Sequence, residues 1–177
     1  MESKMKVIVV SGTPGTGKTT LSKILAKKLN FYYLDVNKII SKYKLSEGYD
    51  RKMQTKIIDV NKLNKKLINE IKSIQKSNKN NKSGKFKEIK GIIIDSHLSH
   101  YLPRKYVDFC VVAKCDIKEL SKRLKKKKFH QLKIKENIEA EIFDVCLNEA
   151  KERKHKIIVI DTTKHFNIND LTHRLGG

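Results

Sequence analysis

Eight residues near the start of the chain constrain its fold more than any other feature. Gly12-Thr13-Pro14-Gly15-Thr16-Gly17-Lys18-Thr19 is a complete G-x-x-x-x-G-K-[ST] run. The apolar stretch Lys6–Val10 leads into it, and a helical pattern over Lys18–Leu29, with Leu21, Ile24, Leu25 and Leu29 on one face, leads out. Three of the chain's eight glycines and one of its two prolines fall inside this run, so a general richness in turn residues does not account for it. A strand–loop–helix unit of this kind cradles phosphate. Glycine lets successive N–H groups turn inward, and the helix N-terminus adds the positive end of its dipole at the same point. Gly15, Gly17, Lys18, Thr19 and Thr20 are therefore the expected phosphate-binding residues. Lys18 is expected to reach the β- and γ-phosphates, the Thr19 hydroxyl to ligate Mg²⁺, and Thr20 to lie close to the α-phosphate.

A loop of this type needs a second metal-organising carboxylate at the end of a neighbouring strand. Ile92-Ile93-Ile94-Asp95 supplies one, with His97 two residues on. Asp95 is expected to hold Mg²⁺ through water, and His97 to orient a water, contact the γ-phosphate or relay a proton. A capping or surface role for His97 stands beside that reading. His100, His130, His155, His165 and His173 have no comparable context and are expected on the surface.

Five apolar runs read as strands: Lys6–Val10, Phe31–Leu34, Gly91–Asp95, Val107–Ala113 and Lys156–Asp161. Most are continuous rather than alternating, as in a parallel sheet covered on both faces. Helical patterns lie between them. Val60–Ile74 repeats apolar residues at 60, 63, 67, 71 and 74, and Asp116 with Glu119 opens a helix carrying Ile117, Leu120 and Leu124. Ile134–Lys151 reads as one helix, with Ile138, Ile142, Val145 and Leu147 inward and Phe143, Cys146 and Ala150 widening the stripe. The alternation predicts an α/β doubly wound domain with right-handed crossovers. The low-complexity stretch Ser73–Lys90 reads as a solvated or disordered excursion.

Charge is the other strong feature. The net charge is +21, and the excess is lysine: only five of the 40 basic residues are arginine. Residues 72–90 hold seven Lys and one Glu, and residues 122–135 hold seven Lys and one Arg with no acid. Such a charge invites a nucleic-acid partner, against which stands a compositional bias of the whole chain. No apolar run approaches the roughly 20 residues of a membrane span. The opening residues lack the pattern of a secretion signal. Three cysteines without a Cys-x-x-Cys pair argue against a disulfide framework or zinc site and for a reducing compartment.

The sequence resembles the adenylate kinase isoenzyme 6 family, the nuclear coilin-interacting and small-subunit ribosome-assembly ATPases with their archaeal adenylate-kinase relatives. Residues 11–20 carry the likeness, with Asp35-Val36-Asn37, Glu47-Gly48-Tyr49-Asp50, Ile94-Asp95-Ser96-His97, Leu102-Pro103, Arg123-Leu124 and Glu136-Asn137-Ile138-Glu139-Ala140-Glu141-Ile142-Phe143. It spans the chain except for about 73–89, which reads as a basic insertion.

The resemblance implies a P-loop nucleoside-monophosphate-kinase fold in a single domain 1–177. It has a five-stranded parallel sheet with helices on both faces, a monophosphate-binding segment at about 35–58 and a lid at about 126–136. It also implies ATP and Mg²⁺ as cofactors, AMP or another nucleoside monophosphate as acceptor, and catalytic roles for Lys18, Asp95 and His97. Arg123 matches a family arginine that meets ATP. Lys127 stands where a second arginine is usual, which exchanges a planar fork for a point charge. Lys164 is the matching contact to adenine after the fifth strand. In the monophosphate segment Ile40-Ser41-Lys42 replaces a family arginine, leaving Arg51; Tyr49 and Asp50 shape that site, or Tyr49 simply packs. The family's partners are a small-subunit ribosomal protein and pre-rRNA, its location nucleus and cytoplasm. The residues leave four functions open: an adenylate kinase, an ATPase switch in ribosome assembly, another small-molecule kinase of the same fold (disfavoured by the Asp95-x-His97 pair), and a basic RNA- or ribosomal-protein-binding module. The intact phosphate loop and an aromatic content of 7% make the last the weakest.

Overall fold

Continuous runs of branched aliphatic residues build the centre of the sheet. The computed structural model describes residues 5–53, 55–80 and 89–176. In chain order the strands are β1 (Lys6–Ser11), β2 (Phe31–Asp35), β3 (Ser46–Asp50), β4 (Thr55–Ile58), β5 (Gly91–Asp95), β6 (Phe109–Lys114) and β7 (Ile157–Asp161). The helices are α1 (Lys18–Leu29), α2 (Val36–Lys42), α3 (Val60–Asn80), α4 (Ile117–Lys126), α5 (Gln131–Ile142), α6 (Val145–Glu152) and α7 (Ile168–Arg174). Five strands pair in parallel in the order β2-β5-β1-β6-β7, while β3 and β4 form a separate antiparallel hairpin.

Burial explains the sequence pattern of each strand. All five residues of β5 are buried, and Ile92, Ile93 and Ile94 have no exposed surface. Each buried isoleucine contributes about 1.5–3 kcal/mol relative to an exposed one. The edge strand β7 alternates instead, with Ile158 and Ile160 buried and Val159 exposed. Two clusters fill the sheet's two faces. Leu63, Leu67 and Ile71 of α3 pack with Val7, Val9, Ile92 and Ile94. Leu21 and Leu25 of α1 pack with Ile8, Val10 and Ile93, joined by Leu171 of α7. A third, small cluster joins α4 and α5 through Leu120, Leu124 and Ile134.

The structure corrects several expectations. Ser73–Asn80 is not an excursion: it continues α3, with Ile74 packed on the core and the Asn78 amide exchanging hydrogen bonds of 2.9 and 3.0 Å with the Ile89 backbone. The remainder of the expected insertion, 81–88, lies outside the described residues. The single helix expected over Ile134–Lys151 is two, α5 and α6, broken where Asp144 adopts a left-handed φ of 53° and pairs with Lys114. The break turns the stripe, leaving Ile142, Phe143 and Val145 exposed rather than inward. The short α2 and α7 are capped by the side chains of Asp35 and Asn167, each accepting from the backbone two residues on. Both helices span seven residues, too few to establish a helical period.

Candidate functional site

The loop between β1 and α1 takes its shape from contacts that side chains would not survive. Gly12 has φ +135°, and a Cβ there would sit 2.3 Å from the Ala113 carbonyl oxygen of β6. Gly15 has φ +97° and presses against Leu120 and Leu124 of α4. Within the loop, Thr16 Oγ1 donates to the Thr13 carbonyl at 2.8 Å, and Lys18 Nζ donates to the same oxygen at 3.0 Å. Thr162, past the end of β7, donates its hydroxyl to the Thr16 carbonyl and to that of Lys114 at 2.9 Å. The loop is thus stitched to the carboxyl ends of β6 and β7.

A cavity of about 520 Å³ opens in front of it, lined by Gly15, Gly17, Lys18, Thr19, Thr20, Arg123, Lys126, Lys127, Thr162 and Phe166. Seven of the sequence-derived binding residues therefore meet in one space: Gly15, Gly17, Lys18, Thr19, Thr20, Arg123 and Lys127. Lys18 is nearly buried, and burial pushes its ammonium down to about 8, opposed by Cys146 and Asp95 and assisted by Lys127. Arg123 is held by Glu119 at 2.9 Å and by the Thr162 and Thr163 carbonyls at 2.9 and 3.3 Å, so its guanidinium is oriented in advance. Lys164 is exposed and does not line the cavity. Lys126, the first residue of the expected lid, does, as do Phe166 and Thr162, which residue spacing did not single out. Phe166 carried a signal, as an aromatic side chain just past the last strand.

Asp95 and His97 lie apart from the cavity lining. Asp95 is buried at the end of β5, in register with Val10, and accepts from the Tyr33 hydroxyl at 2.8 Å. Burial and that carboxylate push the Tyr33 phenol well above its ordinary range. His97 is exposed, and desolvation, followed by the charges of Lys18, His100 and Lys133, lowers its pKa to about 4. It is therefore a neutral imidazole at physiological pH.

Two other histidines are not surface residues, contrary to expectation. His100 is fully buried: its Nδ1 lies 2.6 Å from Ser11 Oγ and its Nε2 lies 2.9 Å from Glu149 Oε2. The carboxylate can only accept, so Nε2 carries a hydrogen. His155 is buried with Nε2 2.8 Å from the His100 carbonyl. His130 caps α5, accepting from Lys133 N at 3.3 Å. His165 and His173 are exposed as expected.

Within the expected monophosphate segment, Val36–Lys42 form α2, and Ser46–Asp50 and Thr55–Ile58 pair as the β3–β4 hairpin, separate from the main sheet. Tyr49 is exposed on the hairpin and does not pack in the core. Asp50 Oδ1 accepts from Met53 N at 2.9 Å, closing the turn that carries Arg51. Among the described residues no helix is long and apolar enough to cross a membrane. Cys110 and Cys115 are buried and Cys146 is half-buried, all three as free thiols.

Comparison with known proteins gives consistent results. A family model described as an AAA domain matches residues 8–144. A Methanocaldococcus jannaschii protein named "Putative adenylate kinase" is 38% identical over 156 residues, covering 88% of this chain and 76% of its own. A Caenorhabditis elegans protein named "Adenylate kinase isoenzyme 6 homolog" is 32% identical over 152 residues, covering 86% and 76%. A crystal structure described as a putative kinase from Chloroflexus aurantiacus superposes with a TM-score of 0.51 at 15% identity, covering 97% of both chains, and shares the fold.

Proposed function

The chain belongs to the AAA-domain family matched over residues 8–144 and, within it, to the group of the adenylate kinase isoenzyme 6 homologs and their archaeal relatives, and on that premise we propose that it is a nucleoside monophosphate kinase transferring the γ-phosphoryl group of ATP to AMP. The observation that carries this proposal is the cavity of about 520 Å³ with the phosphate loop at one end and Arg123 and Phe166 beside it. Phosphates and base both find partners of fitting chemistry there. A phosphate oxygen of AMP attacks the γ-phosphorus, the bond to the bridging oxygen breaks, and ADP leaves from each side. The protein supplies position and charge rather than covalent chemistry.

Each residue then has a task. The backbone N–H groups of Gly15–Thr20 wrap the β-phosphate, and Lys18 moves off the Thr13 carbonyl to meet the β- and γ-oxygens. Arg123, already oriented, meets the developing charge, with Lys126 and Lys127 adding to the positive field. Residues 35–58 are the monophosphate side, with Arg51 as the anion partner, and residues 126–136 are the lid whose closure excludes water. The hydroxyl of Thr19 and the carboxylate of Asp95 are hard oxygen donors. They suit Mg²⁺, which keeps several waters and enters with substrate phosphates. Bound there, it would neutralise phosphate charge. Tyr33 occupies one oxygen of Asp95 and fixes the direction of the other.

A second activity, hydrolysis of ATP, is favoured by one observation: His97 is exposed two residues past the buried Asp95, where its imidazole can hold a water by hydrogen bonding. Work in small ribosomal subunit maturation, with a ribosomal protein and pre-rRNA as partners and a nuclear and cytoplasmic location, fits the family resemblance and the lysine-rich segments 72–90 and 122–135. Assay of ADP formation from ATP plus AMP, against phosphate release from ATP alone, tests the kinase and separates it from the hydrolase.

A further inference from the structure

The run 136–143 marks the family, yet none of its side chains lines the cavity. Its buried carboxylate, Glu141, has a specific set of partners. Glu141 is 3% exposed at the end of α5, and Thr13 Oγ1 donates to its Oε2 at 2.5 Å. Its Oε1 accepts from Cys115 N at 2.9 Å and lies 3.2 Å from Lys114 Nζ, which also donates to the Glu141 carbonyl at 2.9 Å. Thr13 is itself 1% exposed. Its carbonyl is the oxygen that receives Lys18 Nζ at 3.0 Å, Thr16 Oγ1 at 2.8 Å and Thr16 N at 3.2 Å. One buried residue of the loop therefore faces α5 with its side chain and Lys18 with its backbone.

Packing does not account for a carboxylate here. An apolar residue would seat α5 on β6 without the cost of burying charge. What the carboxylate adds is direction: it accepts from three sides and fixes the Thr13 hydroxyl. The far end of α5 begins at Gln131, four residues past Lys127 on the cavity wall, and α5 packs on α4 through Leu120, Leu124 and Ile134. α5 thus starts four residues past a cavity-lining lysine and ends on a side chain of the phosphate loop.

We propose that Glu141 is a positioning residue: it fixes the Thr13 peptide, and with it the resting place of Lys18, before nucleotide arrives, by tying α5 to the phosphate loop. The coupling depends on the cavity being the ATP site. A loop ordered in advance does not have to be ordered at the moment of binding, so losing the tie weakens nucleotide affinity.

The test is a double-mutant cycle on the full chain, read by titration with a fluorescent ATP analogue and by thermal unfolding of each variant. Thr13→Val keeps shape and removes the donor. Glu141→Gln keeps shape and leaves one oxygen where two are needed. Each is expected to weaken binding about tenfold, and the double variant no more than the worse single one. Lys114→Ala, which removes a partner of Glu141 that does not touch the loop, is expected to lower the unfolding temperature while affinity stays within about twofold. Losses that multiply in the double variant, wild-type affinity in both single variants, or an equal loss in Lys114→Ala would each overturn the coupling. A wild-type protein that binds no analogue would overturn the ATP site itself, and the coupling with it.

Discussion

The Lys18 ammonium rests 3.0 Å from the Thr13 carbonyl oxygen, parked on its own loop in a site where burial has lowered its pKa to about 8. Polyphosphate favours the charged form, so nucleotide affinity is expected to fall as pH rises through about 8, by up to tenfold per pH unit. Titration with an ATP analogue from pH 7 to 9.5 checks it. A Lys18→Ala variant, with nothing to titrate there, shows no such break. The same group affects stability with opposite sign. Its folded pKa lies below the ordinary 10.5, so the cost of burying the ammonium stands in full below about 8 and is relieved between about 8 and 10.5.

His97 should behave as a neutral hydrogen-bonding group. With its pKa near 4, it contributes no inflection around pH 6.5 to the activity profile. His97→Ala is expected to reduce ATP hydrolysis at least as much as phosphoryl transfer, and His97→Asn to recover part of the loss. An inflection near 6.5 in wild type that disappears in His97→Ala would show the imidazole titrating in its ordinary range instead.

Much of this was legible in the sequence, for physical reasons that differ by element. Gly12–Thr19 was legible because local geometry dictates its residue types: Gly12 cannot carry a Cβ against Ala113. The central strands were legible because burial on both faces leaves only aliphatic residues, as in Ile92–Ile94. The break at Asp144 was not, since helical periodicity runs through it and the Lys114 pair that holds it comes from β6. The burial of His100 was equally hidden, because its partners Ser11 and Glu149 lie 89 and 49 residues away. Lys164 was chosen by position after a strand, whereas the chain turns there and brings Phe166 to the cavity instead.

Phe166 and Lys164 should therefore separate cleanly. Phe166→Ala removes an aromatic face from the cavity and is expected to weaken binding of an ATP analogue about tenfold, while inorganic triphosphate binding changes little. Lys164→Ala is expected to leave both within about twofold. Parallel titrations of the four combinations decide it; equal loss of ATP and triphosphate in Phe166→Ala would mean that the ring shapes the loop rather than holding the base.

The lysine-rich segment divides at the end of α3. Because Ile74 packs on the core and Asn78 holds Ile89, removal of residues 73–80 would unseat α3. Removal of 81–87 alone is expected to leave nucleotide kinetics unchanged while weakening binding to RNA and flattening its salt dependence. Binding isotherms on a short RNA duplex between about 50 and 200 mM salt give the slope. An unchanged slope would assign the segment's charge to composition rather than to a partner.

The central claim is that the cavity before the phosphate loop carries ATP for transfer to a nucleoside monophosphate. Its most direct test follows ADP formed from ATP and AMP, with phosphate release from ATP alone recorded in parallel, for wild type and Lys18→Ala. The account predicts ADP well in excess of released phosphate in the wild type, and a loss of both by about a hundredfold or more in the variant. Full turnover in Lys18→Ala, or a wild type that releases phosphate and forms no ADP beyond it, would contradict the claim.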